Sequence, residues 1–216
     1  MLITKLKDTG KLLESMGNSK VFVFKCFGCS EVFFPEEEVD RFIRENGGII
    51  KGLANVDYLC SEEFAGAYAA SFMDEINEAG QILVFSCGVG VQVVSKLLLD
   101  KKVFPGCDTF YINGFQGLAA GDSDCEQCGM CYLNLTGGIC PLAACAKGLL
   151  NGPCGGASDK GKCEVTPEME CAWVRIYDRL KVTDNMKILR HPEVNIRDYS
   201  RIIKDKPASC GKREKT

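Results

Sequence analysis

The chain has 216 residues, a formal net charge of −3 and 46% apolar residues. That length suits one moderate domain or two small ones with a real core. The mild acidity argues against nucleic acid or an anionic membrane as the main partner. No apolar run reaches the roughly 20 residues that a transmembrane helix needs. The first residues, Met1 to Asp8, mix charges and contain no apolar signal core, so the expected location is the cytoplasm. In that reducing compartment fourteen cysteines are expected to be metal ligands or redox groups, not disulfides.

Taken in chain order, Val21 to Lys25 is a short apolar, β-rich run ending at Cys26-Phe-Gly-Cys29. Pro35 to Asn46 reads as a helix, with Glu36 to Glu38 near its positive end, Val39, Phe42 and Ile43 at helical spacing, and Gly47-Gly48 as a stop. Gly48 to Val56 reads as a second strand, followed by Cys60. Ser61 is placed to cap a helix running to about Ala79. Ile82 to Ser86 is the clearest buried strand, and Cys87 follows it. A helix is expected from about Val91 to Leu99, and Asp108 to Asn113 is a fourth strand candidate.

This alternation predicts an α/β fold, with a Rossmann-like parallel sheet domain over residues 1–120. Ligands of such sheets bind at the carboxyl ends of the strands. Cys26, Cys60 and Cys87 each follow a strand, and Cys29 lies a turn beyond Cys26. These four thiols are predicted to converge on one metal site, the plainer alternative being that one or two are small core residues. Gly88 and Gly90 only partly resemble a dinucleotide fingerprint, because Val93 occupies its third glycine position. They read instead as letting backbone approach a cluster or another chain. Cys107 reads as structural, Cys210 as incidental, and the single histidine, His191, as a loop residue.

From Gly121 the composition shifts to glycine and cysteine, and residues 121–183 read as a small module built on metal. Within it Leu142 to Leu150 and Pro167 to Leu180 are helix candidates, and Trp173 reads as core. Residues 184–216 form a polar tail with scattered apolar anchors, suited to docking. The module holds Cys125, Cys128, Cys131, Cys140, Cys145, Cys154, Cys163 and Cys171. Its opening Cys-x2-Cys-x2-Cys lets one loop present three thiolates to one cluster, and Cys140 precedes a proline as in ferredoxin motifs. With so little histidine, sulfur ligation points to iron–sulfur clusters or an all-thiolate zinc site. Eight cysteines match two four-thiolate [4Fe-4S] clusters. One would take Cys125, Cys128, Cys131 and one distant cysteine, the other Cys140, Cys145, Cys154 and either Cys163 or Cys171. The alternative is one cluster plus a four-thiolate zinc site.

Several stretches then resemble a known family. These are the Cys125 triplet, Thr136-Gly-Gly-Ile-Cys-Pro, Cys145-Ala-Lys-Gly-Leu-Leu-Asn-Gly-Pro-Cys-Gly-Gly, Gly161-Lys-Cys-Glu-Val and Cys171-Ala-Trp-x-x-Ile-Tyr. They resemble the C-terminal module of two-subunit methylenetetrahydrofolate reductases. Cys26-x-x-Cys29, Cys60 and Cys87-Gly-x-Gly-Val-Gln resemble the N-terminal part of the small, MetV-type subunit, with a departure at Phe33-Phe34. The resemblance implies a flavin-containing barrel partner subunit that reduces methylene- to methyl-tetrahydrofolate in the one-carbon (Wood–Ljungdahl) metabolism of anaerobic acetogens. It implies iron–sulfur clusters on this chain, with [4Fe-4S] or zinc at the N-terminal site. A chain of this length leaves no room for the barrel of roughly 250 residues, so folate and flavin sites are expected on the partner. The expected role is a non-catalytic electron relay from ferredoxin or a larger redox complex. The rival role is a zinc-thiolate scaffold that stabilises the catalytic partner.

Overall fold

The computed structural model describes residues 2–111 and 125–190. The chain opens with β1 (Leu2–Leu6), α1 (Thr9–Met16) and β2 (Val21–Cys26), then β3 (Val32–Phe33), α2 (Glu36–Glu45) and β4 (Ile50–Val56). Next come α3 (Glu62–Ser71), α4 (Met73–Glu78), β5 (Gln81–Phe85), α5 (Gly88–Leu97), β6 (Lys102–Pro105) and β7 (Cys107–Tyr111). The cysteine-rich part contributes α6 (Pro141–Ala144) and α7 (Ala172–Val182), and a 3-10 turn over Met186–Arg190 follows.

The fold is α/β, built on a four-stranded parallel sheet in the order β4-β2-β5-β6. Helices cover both faces. Leu12 and Met16 of α1 and Val39 and Phe42 of α2 pack with Val21, Val23, Leu83 and Phe85. Ala65, Ala69, Ile76, Val91 and Val94 of α3 to α5 pack the other face with Phe22, Phe24, Ile82 and Val84. Both faces of β2 and β5 are therefore dry, which is why these strands read as unbroken apolar runs. The chain passes from β2 to β4 on one side of β2, and from β4 crosses back to β5 on the other side. The strand order reverses between β2 and β5, and the crevice for ligands opens there, at the carboxyl ends.

Four expectations need correction. The fourth parallel strand is β6, not the Asp108 segment. At Gly106 the chain crosses so close to the Phe85 ring that a Cβ would lie 2.3 Å from it, and β7 then pairs antiparallel with β1 in a second sheet of order β3-β1-β7. The helix from Ser61 breaks at Phe72, which leaves helical geometry (φ −119°) and sets its ring 5.6 Å from that of Phe22. In the second half α6 ends at Ala144, because Cys145 is extended and Gly148 has φ +59°. α7 starts only after Cys171, since Glu170 is in a β-bridge to Lys162. Asn113, His191, Cys210 and the tail anchors from Val194 onward lie outside the described residues, while Leu189 packs against Trp173, Ile176 and Leu180.

The second half has its own small apolar cluster of Trp173, Ile176 and Leu180, while Leu133 joins the core of the sheet. Arg179, which is 7% exposed, ties the halves together. Its Nη2 donates to the Ser95 and Leu98 carbonyls at 2.6 and 2.9 Å, and its Nε donates to the Gly137 carbonyl at 3.1 Å. A guanidinium at the end of α5 satisfies carbonyls that the helix leaves free and complements its dipole. Among the described residues no helix is long and apolar enough to cross a membrane.

Candidate metal centres

The structure brings the twelve singled-out cysteines into three groups of four. In the first, Cys26 ends β2, Cys60 follows β4, and Cys87 sits at the N-cap of α5, immediately beyond Ser86 at the end of β5. Parallel neighbours place these ends side by side, with Cys26 opposite Val56 and Lys25 opposite Phe85. Burial pushes the Cys26 thiol up to about 12, and its neighbours Cys87, Cys29 and Cys60 add to the rise. Cys87 is also raised by burial, while the Gly90 and Val89 amides at the start of α5 donate to its sulfur and act the other way. A buried thiol with amide donors aimed at it favours the thiolate once a cation is present.

The second group lines a cavity beside α5: Cys125, Cys128, Cys131 and Cys140. Cys140 thus joins the Cys125 triplet, whereas the sequence reading set it with the other cluster. Burial raises all four thiols, Cys131 to about 12. Strand β7 carries this loop. Gly129 N–H donates to the Thr109 carbonyl at 2.9 Å, Phe110 bridges to Cys128, and Cys131 N–H donates to Asp108 Oδ1 at 2.8 Å. Lys7 pairs with the same carboxylate at 2.5 Å and donates to the Cys131 carbonyl at 3.1 Å. Sequence reasoning missed Lys7 and Asp108, because their proximity depends on the β1–β7 pairing. Gly88 forms the wall between the first two groups, since a Cβ there would lie 2.9 Å from Cys125 Sγ. The glycine expected to admit a close approach does so here.

The third group, Cys145, Cys154, Cys163 and Cys171, lines a smaller pocket with Glu164, Met169 and Trp173. Both Cys163 and Cys171 belong to it, whereas the sequence reading chose one of them. Cys171 N–H donates to the Gly161 carbonyl and Cys163 N–H to the Met169 carbonyl, at 2.8 and 2.9 Å. Cys154 is exposed. The Gly156 amide, 3.4 Å away, lowers its thiol, and Lys147 adds to this. Trp173 is buried as expected and donates through Nε1 to the Leu149 carbonyl at 2.9 Å. Cys107 is buried in the core of the sheet.

Residues 104–200 match the family described as methylene-tetrahydrofolate reductase C terminal. This stretch, a little under half of the chain, is similar to that family. It spans the second and third thiol groups whole and leaves the strand-end group outside. No curated protein and no solved structure matches the chain.

The donor chemistry suits iron–sulfur or zinc: three sets of four thiols, every described cysteine free of disulfides. Among the described residues no three Cys, His, Asp or Glu side chains form a ready-made site for one metal ion.

Proposed function

We propose that this chain is the electron-transferring accessory subunit of a methylenetetrahydrofolate reductase, working beside a flavin-bearing catalytic subunit. The observation that carries the reading is the division of the eight cysteines in the family-matched stretch into two pockets of four. Each set would hold one [4Fe-4S] cluster, and the strand-end set a third cluster or zinc. When bound, such clusters take up and release single electrons.

The chain's own part is to hold, space and shield. Half-burial of the Cys125 group limits its contact with water. The Lys7–Asp108 pair fixes the backbone on both sides of Cys131, and the Lys7 charge favours its thiolate. Gly156 presents an amide to the Cys154 sulfur, and hydrogen bonds to sulfur are a means of tuning a potential. Ferredoxin or a larger redox complex would be the donor, in the cytoplasm of an organism running one-carbon reduction. The zinc-scaffold reading finds its best support at the third group, where tight turns bring four thiols to one small pocket.

Iron, zinc and acid-labile sulfide per chain in anaerobically purified protein test the proposal. About eight to twelve irons with matching sulfide are expected for two or three clusters. Zinc without sulfide would overturn the relay and leave the scaffold.

A further inference from the structure

We propose that the face around the strand-end thiols is where the catalytic partner docks, and that the partner meets it with a basic rim around an apolar centre. This rests on the electron-transfer reading above. Among the described residues five large aromatics are exposed, and four of them flank these thiols. Phe27 (40% exposed) lies between Cys26 and Cys29, Phe33 (58%) four residues after Cys29, Tyr58 (43%) two before Cys60, and Phe64 (48%) four after it. The loops are locked together. Phe27 N–H donates to the Val56 carbonyl at 3.3 Å and Gly28 N–H to Asp57 Oδ1 at 2.8 Å. Tyr58 adopts φ 50°, a left-handed conformation that costs a bulky residue of order 1–3 kcal/mol. The fold bears that strain for a ring it leaves in water. Exposed aromatics on loops locked together in this way are the kind of residue that marks an interface.

The charge around them selects the partner. Residues 26–38 and 55–64 carry seven acidic side chains and no lysine or arginine. The cations that reach these acids are already paired: buried Lys25 with Glu36 and Asp40 at 3.1 and 2.7 Å, and Lys96 with Glu62 at 2.6 Å. Acids in the first turns of α2 and α3 also serve the helix dipoles. That accounts for the charge. The Phe27 ring meets Lys25 Nζ 4.8 Å from its centroid, which leaves Phe33, Tyr58 and Phe64 exposed between the acids. An acidic rim attracts a basic surface and repels an acidic electron carrier, so this face suits the catalytic subunit and not an acidic ferredoxin. The rival face is the groove between α5 and α7, whose lining mixes Lys96, Arg175 and Arg179 with Asp178 and shows no such single sign.

The test measures binding of the full chain to the purified flavin-bearing methylenetetrahydrofolate reductase subunit by biolayer interferometry, with iron content and melting temperature read in parallel. Tyr58→Glu with Phe64→Glu is expected to weaken association by at least about tenfold. Glu63→Lys is expected to weaken it several-fold, and rising salt to weaken the wild type. Iron content and melting temperature stay unchanged in all of them. Leu99→Glu and Val182→Glu, exposed on the rival groove, are expected to bind as wild type. Wild-type binding by the Tyr58/Phe64 variant, or loss of binding in the Leu99 and Val182 variants, overturns the assignment. Iron–sulfur protein that binds no flavin subunit overturns the docking and spares the relay. A metal-free or zinc-only chain that still binds through Tyr58 and Phe64 overturns the relay and spares the docking.

Discussion

The two halves of this molecule gather thiols by opposite means. In the first, Phe22, Phe24, Ile82 and Val84 are fully buried in a parallel sheet, and the cysteines ride on strand ends that the core has already fixed. In the second, the private core is only Trp173, Ile176 and Leu180. Seven of the eight described glycines with positive φ lie there, Gly17 being the exception, so turns and not packing set the path of the chain. On the metal-centre reading proposed above, a scaffold that exists before its metal is joined to one that the metal must help to build.

The sharpest way to break that comparison is to strip the metal. After anaerobic chelation, amides between Cys125 and Cys171 are expected to lose protection from hydrogen exchange almost completely. Those of β2 and β5 keep theirs. Equal loss in both halves would mean that the sheet too depends on metal; equal retention would mean that the module folds alone. Next in size comes Ile176→Ala, at a residue fully buried in the module's cluster. It is expected to cost about 2–5 kcal/mol, read by denaturant unfolding of the metal-loaded protein. In so small a core this should open the third thiol group while the sheet melts as before.

Gly88→Ala acts at the seam. Its methyl would press on Cys125 Sγ, an overpacking expected to cost about 1–3 kcal/mol. The expected readout is loss of one cluster's worth of iron, with the third group's metal retained. Unchanged iron would show that Cys125 has room to move and that the wall between the first two groups is soft.

Legibility followed the same divide. The runs Val21–Lys25 and Ile82–Ser86 announced buried strands because burial on both faces leaves a continuous apolar string, and strand-end cysteines then followed from topology. Leu2–Leu6 and Lys102–Pro105 were overlooked. Each is short, the first mixes lysine and threonine with its leucines, and β6 ends in a proline that only an edge strand tolerates. The partition of the eight later cysteines was half legible. The Cys125 triplet sits in one loop, but the placement of Cys140 depends on turns such as Gly137-Gly138 wedged against Arg179 and Ser95. Those are tertiary contacts with no trace in spacing. Lys7 and Asp108, 101 positions apart, were beyond any local signal for the same reason.

The smallest expected effect is chemical. In metal-free protein Cys154 is exposed and its thiol lies below the ordinary range through the Gly156 amide and Lys147, whereas burial holds Cys26 and Cys131 up at about 12. Iodoacetamide labelling near neutral pH, followed by peptide mass spectrometry, should therefore mark Cys154 several-fold faster than either. The same contrast sets the response to alkali. An unfolded thiol ionises near about 8.5, so as pH rises the unfolded chain sheds protons that the folded chain keeps. The stability tied to Cys26 and Cys131 is then complete below that pH and is lost progressively between there and about 12. The melting temperature of the metal-free sheet should fall across that window, and Cys26→Ala should flatten the fall. If Cys26 instead labels as fast as Cys154, the strand-end crevice is open to water before metal arrives, and the distinction between a finished and an unfinished scaffold fails at its first site.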